Sequence, residues 1–418
     1  MSVIRADTAI VGGGLMGCWT ALMLRRRDPA HRVVVLEKGV VGAQASGVNF
    51  GNLRIQGRHP GQLPLAIRAA AIWERLGEFV GEDCEFDATG HLYAARDAAE
   101  EVAKAEKTAR EAAAHGVPAT LLDRAGLAAR WPWLKGFRMA SWSARDAVAN
   151  PRLVTPAVAR AARAAGTDIR EATRVVGAAQ ANGRFLVEVA GGDTVEAGQL
   201  VNVAGAWAPE IAGWFGEGAP VVPAGPPQFV TDAVPYFMRP SVQAVDGSVI
   251  ARQTRQGQVV VAGYPRGASD PIANRAPVDA RRTLAAMGHL VRAVPRLRGA
   301  AVVRVWSGIE AYLPDMLPVI GPSGTTQGLF HAFGFCGHGF QLGPGVGAVL
   351  ADLVLLGRSE TPLSLFPITR FAAGEVAQAE QFRREFDARS LAQAGIAQTG
   401  IAQTGIAQVG LRQPGQEA

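Results

Sequence analysis

Three glycines near the start of the chain have the spacing of a dinucleotide-binding turn. Gly12, Gly14 and Gly17 form the pattern G-x-G-x-x-G between a predicted strand, residues 8–11, and a predicted amphipathic helix, residues 15–27. The first glycine allows a tight turn, the second lets a pyrophosphate approach the backbone, and the third lets the helix pack closely on the strand. Free N–H groups and a partial positive charge at the helix start favour an anionic ligand. A purely structural glycine-rich turn is the alternative interpretation.

A carboxylate stands where such a turn needs one. Glu37 lies 20 residues after Gly17 and follows a β-branched run, residues 32–36, typical of a central parallel strand. Its oxygens can accept hydrogen bonds from ribose hydroxyls, and its charge disfavours the extra 2′-phosphate of NADP. The motif alone does not distinguish NAD from FAD.

The elements that must position these residues alternate between helix and strand patterns. Residues 42–57 form an irregular stretch that is too long for an ordinary connection, which indicates a functional segment. Residues 221–305 show mostly strand patterns with one helix, 278–294. The other predicted helices are 64–80, 98–115, 150–165 and 346–356, and the other predicted strands are a pair within 85–95, then 174–178, 184–189, 199–204 and one that begins near residue 329.

The composition argues against several classes of function. The 418-residue chain carries a formal charge of +6, but its arginines are dispersed, which does not indicate a nucleic-acid surface. Cys18, Cys84 and Cys336 form no C-x-x-C pair, so we expect no disulfide framework, no iron–sulfur cluster and no other metal site. The sequence shows no signal peptide and no unbroken run of ~18–20 apolar residues, so we expect a cytoplasmic protein.

The chain resembles the D-amino-acid oxidase/sarcosine oxidase (DAO) superfamily of FAD-dependent oxidoreductases, from residue 8 to about residue 371. Four segments carry the resemblance: AIVGGGLMG followed by LEK; GAQASGVNFGNLR; VNVAGAWA; and GIEAYLPDMLPVIGP followed by GFCGHGFQLGPGVG. They are most similar to FAD-carrying β-type subunits of enzymes that oxidise sarcosine, opines or D-hydroxyproline. This resemblance implies FAD rather than NAD as the cofactor, and it also implies the fold of the family.

The implied fold is α/β, with a discontinuous Rossmann-like FAD-binding domain and an α+β substrate domain built on an antiparallel sheet. We assign residues 1–82, 146–222 and 305–375 to the first domain, and residues 83–145 and 223–304 to the second. Residues 376–418 are predicted to be a C-terminal helix and a low-complexity tail, in which the unit GIAQT repeats.

The resemblance also implies a set of FAD-binding residues. Glu37 and Lys38 would hold the adenosine ribose, Val175 would touch the adenine through its backbone, and the loop before the last helix would point N–H groups at the flavin N1/C2 edge. The full set is Gly12, Gly14, Leu15, Met16, Gly17, Glu37, Lys38, Ala45, Ser46, Gly47, Asn49, Asn52, Leu53, Val175, Ala204, Gly205, Trp207, Gly337, His338, Gly339, Phe340 and Gln341.

Three positions depart from the family pattern. Gly308 stands where some sarcosine oxidases carry a cysteine bonded to FAD, so we expect non-covalent FAD. Val261 stands where those oxidases have a lysine that assists the reaction with oxygen, which favours a dehydrogenase. Gln341 replaces a lysine that binds the substrate carboxylate, and it could still donate a hydrogen bond. Electrons would then leave through a partner subunit or an external acceptor.

The expected reaction is oxidation of the C–N bond of a small D-amino acid or secondary amino acid, such as D-proline, hydroxyproline, sarcosine or an opine, by hydride transfer to flavin N5. Arg54, Arg252 and Tyr264 are the candidates for binding the substrate carboxylate, Tyr312 could cap the pocket, and His338 could donate to flavin or substrate. A solvent-facing Arg252 and a structural His338 are the alternatives. An oxidase that releases hydrogen peroxide, and a flavin-carrying subunit active only in a hetero-oligomer, are the alternative functions.

Overall fold

The computed structural model describes residues 3–262 and 266–371. Tyr264 and the predicted tail, 376–418, therefore lie outside the described residues. The strands are β1 (Val3–Val11), β2 (Val33–Leu36), β3 (Asn52–Leu53), β4 (His91–Ala95), β5 (Thr120–Asp123), β6 (Met139–Ser143), β7 (Ala147–Val148), β8 (Asp168–Arg170), β9 (Val175–Ala181), β10 (Arg184–Val189), β11 (Thr194–Asn202), β12 (Val222–Ala224), β13 (Gln228–Ala233), β14 (Ser241–Ala244), β15 (Ile250–Gln253), β16 (Gln258–Ala262), β17 (Val302–Trp306), β18 (Glu310–Tyr312), β19 (Val319–Pro322) and β20 (Leu329–Phe333). The α-helices are α1 (Leu15–Arg27), α2 (Ala45–Val48), α3 (Leu63–Trp73), α4 (Leu76–Val80), α5 (Ala99–Ala114), α6 (Arg124–Arg130), α7 (Pro151–Ala164), α8 (Ala208–Trp214), α9 (Ala280–Ala293) and α10 (Gly339–Leu356).

The first sheet is a mostly parallel sheet with the strand order β19-β20-β11-β1-β2-β8. Only β19 runs antiparallel along this path, and the hairpin β9–β10 pairs with β11. The residues of β2 are all buried apolar side chains, as expected for a strand covered on both faces. The carboxyl ends of β1, β2, β11 and β20 lie along one edge, which is where open α/β sheets bind their ligands.

The second sheet has the order β17-β13-β16-β15-β14-β4-β6-β5 and is antiparallel except for the pair β14–β4. One of its faces packs on a separate apolar cluster that includes Trp131, Trp133 and Leu290. The opposite face contributes side chains to a large cavity next to the first sheet. This arrangement of a Rossmann-like sheet beside an antiparallel sheet confirms the predicted fold class.

The last helix, α10, begins seven residues earlier than the sequence predicted. Its glycine-rich start is helical because the glycines let α10 approach its neighbours closely: a Cβ on Gly343 would lie 2.5 Å from Leu15 Cδ2, and one on Gly347 would lie 2.6 Å from Trp19 Cβ. The length of α10 and its mean hydropathy of 1.5 would suit a membrane span, but 78% of it is buried inside the protein, as in a core helix.

Other predicted boundaries shift for local reasons. The predicted helix 64–80 is two helices, α3 and α4, with a break after Trp73. The predicted strand pair 85–95 contains only β4 and an isolated bridge between Asp87 and Val148. The domain boundaries at 222/223 and 304/305 fall inside β12 and β17, since strand pairing continues across both points.

Candidate active site

A large cavity lies where the carboxyl edge of the first sheet meets the open face of the second. It encloses about 1490 Å³ of empty space, part of it open to solvent. Its walls include these predicted site residues: Gly14, Leu15, Met16, Ala45, Ser46, Asn49, Asn52, Arg54, Gly205, Tyr312, Gly337, His338, Gly339, Phe340 and Gln341. The predicted residues Gly12, Gly17, Glu37, Lys38, Gly47, Leu53, Val175, Ala204, Trp207 and Arg252 are not part of its walls.

The turn between β1 and α1 forms a glycine cradle at the edge of this cavity. Gly12 has a φ of +117°, and a Cβ on it would lie 2.6 Å from the Val203 carbonyl oxygen. A Cβ on Gly17 would lie 2.0 Å from the Gly12 carbonyl oxygen. The backbone N–H of Leu15, at the start of α1, donates to Ser46 Oγ at 2.9 Å. Side chains are therefore excluded at Gly12 and Gly17, and the positive end of α1 at this turn favours an anionic ligand.

Glu37 closes the far end of the same turn. Its Oε2 accepts from the Gly13 N–H and its Oε1 from the Gly39 N–H, both at 2.8 Å. Both oxygens lie next to the loop that follows β2, where ribose hydroxyls reach the chain in a dinucleotide fold.

Lys38, which follows Glu37, packs on the ring of Trp207. Lys38 Nζ lies 3.1 Å from the centroid of the Trp207 ring, and burial lowers the pKa of this lysine to about 8. Trp207 Nε1 donates to the Pro271 carbonyl oxygen at 3.0 Å, which ties the tryptophan to the second half of the chain. Val175 begins β9 and is half-buried against an apolar cluster formed by residues of β1, β2 and β10.

The start of α10 forms a second polar cradle. His338 is the N-cap of α10, and its Nε2 lies 3.5 Å from Arg54 Nη2. Because the guanidinium can only donate, Nε2 accepts and Nδ1 carries the proton. That Nδ1 is buried and has no hydrogen-bond partner among the described residues. Burial, together with the charges of Arg58, Arg54 and Arg266, lowers the pKa of His338 well below its usual value, so the ring is neutral.

Two arginines of the irregular segment lie together at the cavity wall. Arg54 Nη1 donates to the Gln56 carbonyl oxygen, and Arg58 Nε and Nη2 donate to the Arg54 carbonyl oxygen at 3.0 and 2.8 Å. Arg58 Nη1 is buried and has no hydrogen-bond partner among the described residues. Burial, assisted by the charge of Arg54, lowers the pKa of Arg58 to about 9, so it stays cationic at neutral pH. The sequence prediction missed Arg58, although it follows Arg54 by four residues.

The structure does not place Arg252 in this cavity. Arg252 does share a sheet face with Ile250, which lines the cavity, as the alternation of β15 predicts. However, its Nε donates to the Phe50 carbonyl oxygen at 2.7 Å, and the guanidinium lies in a neighbouring cavity with Arg152 and Arg304. Phe50 lies between the Arg252 guanidinium and the large cavity. The alternation of side chains along a strand cannot reveal that another residue separates two pockets.

Two further expectations about the cavity wall were wrong. Val261 belongs to the core on the far face of the second sheet, and the residue of β16 that lines the cavity is Ala262. The side-chain amide of Gln341 donates to the Ala66 carbonyl oxygen at 2.8 Å, so this donor is directed at α3 rather than at a substrate. A one-residue shift in strand register and an unforeseen helix contact explain these errors.

A carboxylate on β18, Glu310, was also missed by the sequence prediction. Glu310 is half-buried on the cavity wall, and its Oε2 accepts from Tyr312 Oη at 2.5 Å. The Arg266 guanidinium lies 4.4 Å from the centroid of the Tyr312 ring. Tyr312 is buried within the wall instead of capping the pocket. The available signal was the single charged residue in the stretch GIEAYLP.

Neither candidate position for a covalent flavin link has the required chemistry. A Cβ on Gly308 would lie 2.1 Å from Val48 Cγ2, so this position has no room for a side chain. Cys336 lines the cavity, but its thiol donates to the Gly334 carbonyl oxygen at 3.1 Å, and burial raises its pKa to about 12. A protonated thiol is a poor nucleophile.

Comparison with known proteins decides the family. The family model described as "DAO: FAD dependent oxidoreductase" matches residues 7–353. The chain belongs to the DAO family. The prediction of FAD as the cofactor of an oxidoreductase is therefore confirmed, and so is the resemblance on which it rested.

Individual relatives of this DAO-family protein are similar over most of their length. The glycine oxidase of Pseudomonas putida is 30% identical over 367 residues, which is 83% of this chain and 94% of that protein. The sarcosine oxidase subunit beta of Rhizobium meliloti is 27% identical, covering 88% of this chain and 89% of that protein. The crystal structure of L-proline dehydrogenase from P. horikoshii superposes with a TM-score of 0.81 at 26% identity, covering 89% of this chain and 99% of that chain.

The residues of this DAO-family protein fit FAD at both cradles. The turn at Gly12 and Gly14 fits a pyrophosphate because it carries no side chains: a Cβ there would lie 2.6 Å from the Val203 carbonyl oxygen or 3.0 Å from Ser46 Oγ. At the other end of the cavity, the buried His338 Nδ1–H lacks a protein acceptor among the described residues, which suits the electron-rich edge of a flavin.

Proposed function

We propose that this protein oxidises the C–N bond of a small amino acid and that it holds FAD without a covalent bond. The observation that carries the proposal is the buried Arg58 Nη1, a cationic donor at the cavity wall with no hydrogen-bond partner among the described residues. A buried donor of this kind is costly unless a ligand satisfies it, and a carboxylate is the group that a guanidinium binds best. The substrate carboxylate is therefore assigned to Arg58.

The positions of residues around the cavity suggest what each would bind. The glycine turn at the start of α1 holds the pyrophosphate, Glu37 holds the ribose, and the start of α10 with His338 faces the flavin ring. Bound FAD supplies the electron acceptor for the hydride that leaves the carbon next to the amine. Arg58 fixes the substrate carboxylate, and Ile250, Ala262 and Ile309 form an apolar wall that excludes water from the reacting carbon.

The substrates in the names of the relatives support a small amino acid. Glycine oxidase, sarcosine oxidase and L-proline dehydrogenase act on substrates in which an amine and a carboxylate flank one carbon. D-amino acids and secondary amino acids share that arrangement. The empty space of about 1490 Å³ is larger than a small amino acid needs, and a bound dinucleotide would leave only part of it for the substrate.

For the electron acceptor we propose a partner subunit or an external acceptor, which makes the protein a dehydrogenase. No lysine lines the cavity in the part of the chain that the structure describes. An oxidase is the second candidate, because Arg54, Arg58 and Arg266 place positive charge in the cavity, and positive charge stabilises superoxide. Likeness to the sarcosine oxidase subunit beta supports a partner subunit.

The test is anaerobic bleaching of the flavin by a panel of amino acids: D-proline, hydroxy-D-proline, sarcosine, opines and simple D-amino acids. We expect at least one amino acid to bleach the flavin of the wild type. The variant Arg58→Lys should need a roughly tenfold higher concentration of that amino acid, because lysine lacks the planar guanidinium that binds a carboxylate through two hydrogen bonds. For an amine without a carboxylate, the concentration needed to bleach the flavin should be the same in the wild type and in Arg58→Lys. If no amino acid bleaches the flavin, the proposal is wrong.

With an amino acid that does bleach the flavin, the formation of hydrogen peroxide in air distinguishes an oxidase from a dehydrogenase.

A further inference from the structure

One carboxyl group on the cavity wall, that of Glu310, has no role in the proposed function. Glu310 projects from β18 into the cavity wall, and its Oε2 is held by the Tyr312 hydroxyl at 2.5 Å. A Cβ on Gly337 would lie 3.7 Å from that same Oε2 and 4.0 Å from the Tyr312 hydroxyl. The carboxyl group is thus adjacent to the loop that begins α10, where the flavin ring is expected.

We propose that Glu310 binds the ammonium group of the substrate and takes its proton. This inference rests on the proposed function and adds to it the group that binds the other end of the amino acid. Arg58 offers positive charge for the carboxylate, and Glu310 offers the only carboxylate among the described residues that line the cavity. A zwitterion needs both signs of charge within one small space, and the cavity supplies both.

The step itself is a proton transfer. One N–H bond of the substrate ammonium breaks, and one O–H bond forms on the Glu310 carboxylate, so the amine becomes neutral and the carboxyl becomes neutral. No electrons are exchanged in this step. The neutral amine has a free lone pair, and that lone pair is needed to push the hydride from the neighbouring carbon in the oxidation that follows.

The groups around Glu310 allow it to act as a base. From its own strand it faces the Tyr312 hydroxyl, from the segment after β16 it faces Arg266, and from the loop before α10 it faces Cys336, whose thiol stays protonated. Its partner strand, β12, carries no titratable side chain. Burial raises the pKa of Glu310 above its usual value, and Tyr312 and Arg266 counteract part of that rise. A raised pKa brings a carboxylate closer to the neutral pH at which a base works best.

The first measurement is the rate of anaerobic flavin reduction in the wild type and in Glu310→Gln. Gln has almost the same shape and can still accept from Tyr312, so FAD content and folding should be retained. We expect reduction about 100-fold slower at neutral pH, with a rate that rises with pH as hydroxide and solvent take over the proton. Glu310→Asp, which keeps the carboxylate, should recover part of the rate. A rate and pH profile equal to those of the wild type in Glu310→Gln would overturn the proposal.

The second measurement does not depend on turnover. N,N,N-trimethylglycine has a permanent cation and no proton to give, whereas propionate has the carboxylate and no amine. Binding of each is followed by the shift of the flavin spectrum. Glu310→Gln should weaken trimethylglycine binding about tenfold and leave propionate binding unchanged or tighter. The variant Glu106→Gln, on α5 and not part of the cavity walls, is the matched control and should bind both as the wild type does.

These two measurements separate the inference from the function on which it rests. If no amino acid reduces the wild-type flavin, the proposed function fails, while the trimethylglycine comparison still reports whether Glu310 binds a cation. If amino acids reduce the flavin but Glu310→Gln binds trimethylglycine as tightly as the wild type, the function stands and the role of Glu310 is wrong.

Discussion

Val48 fills the space that any side chain at Gly308 would occupy. The Cγ2 atom of Val48 lies 2.1 Å from the position of a Cβ on Gly308, and the Val48 carbonyl oxygen accepts from Trp306 Nε1 at 2.8 Å. The loop that follows β17 is therefore pressed against α2. This contact removes the option of a covalent link to FAD at position 308 and makes the glycine necessary for packing.

We predict that Gly308→Ala lowers the free energy of unfolding by about 1–3 kcal/mol, because the added methyl must displace Val48. Urea unfolding followed by circular dichroism measures it. The double variant Gly308→Ala/Val48→Ala should recover much of the loss, which a double-mutant cycle detects. Gly213→Ala is the matched control, since nothing lies within 4 Å of a Cβ there. Equal stability of Gly308→Ala and wild type would contradict the packing described above.

The proposal that FAD is held without a covalent bond leads to a separate prediction. Acid precipitation should leave all of the yellow chromophore in the supernatant, and the protein pellet should be colourless, because Gly308 has no side chain and the Cys336 thiol is protonated. Mass spectrometry of the intact chain gives the same information. A chain heavier than its sequence by one FAD would show that the attachment is covalent.

Glu37→Gln should weaken FAD binding about tenfold, since two backbone N–H donors and the ribose lose a charged acceptor. Reconstitution of the apoprotein, followed by the quenching of flavin fluorescence, gives the dissociation constant. Glu100→Gln, at the exposed start of α5, serves as the control and should bind FAD normally. Unchanged affinity in Glu37→Gln would mean that the carboxylate serves only the turn.

Asp352 should stabilise the protein at neutral pH and lose that effect in acid. It accepts from Arg27 at 2.6 Å and from Arg68 at 2.7 Å, so it links α10 to α1 and α3. Burial alone would raise the pKa of Asp352, but these two arginines hold it below its usual value. The stabilisation is therefore complete above the unfolded pKa of about 4 and disappears as the pH falls through the lower folded pKa.

The corresponding variant is Asp352→Asn. At pH 7 we expect a loss of about 2–3 kcal/mol in the free energy of unfolding, measured by urea titration. The difference from wild type should shrink steadily below pH 4. A difference that stays constant down to acid pH would show that packing, and not the charge, is responsible.

All three cysteines should be inert in the folded protein. Cys18, Cys84 and Cys336 are each 2% exposed or less, and burial raises each thiol pKa to about 12. At pH 8 we expect iodoacetamide to modify none of them in the native state and all of them in denaturant, as read by peptide mass spectrometry. Rapid native labelling of Cys336 would show that the cavity wall opens.

The sequence was informative where the chemistry is local. Gly12, Gly14, Gly17 and Glu37 lie within one β-α-β unit, so their spacing alone fixes their relative places. The helix α1 runs from Leu15 to Arg27 as predicted, since its apolar pattern and the glycine turn agree. The fold class followed from the order of four motifs along the chain.

Contacts between segments that are distant in the sequence could not be predicted from motif spacing. Arg58, Glu310 and Arg266 reach one cavity from three parts of the chain, and no periodicity relates them. Arg252 has the predicted sheet face but lies beyond Phe50, and Val261 differs from Ala262 only by one step along β16. Such errors arise because position along a strand and the barriers between neighbouring pockets depend on tertiary packing.

The two cradles that receive FAD are separated by most of the polypeptide. The first consists mainly of residues 12–46 and is closed by Val203, but the second requires α10, which ends at Leu356. A chain still emerging from the ribosome can thus form the pyrophosphate turn long before it can enclose a flavin. Capture of the cofactor is consequently a late event of biosynthesis, and shortened chains that stop before α10 should be released without colour.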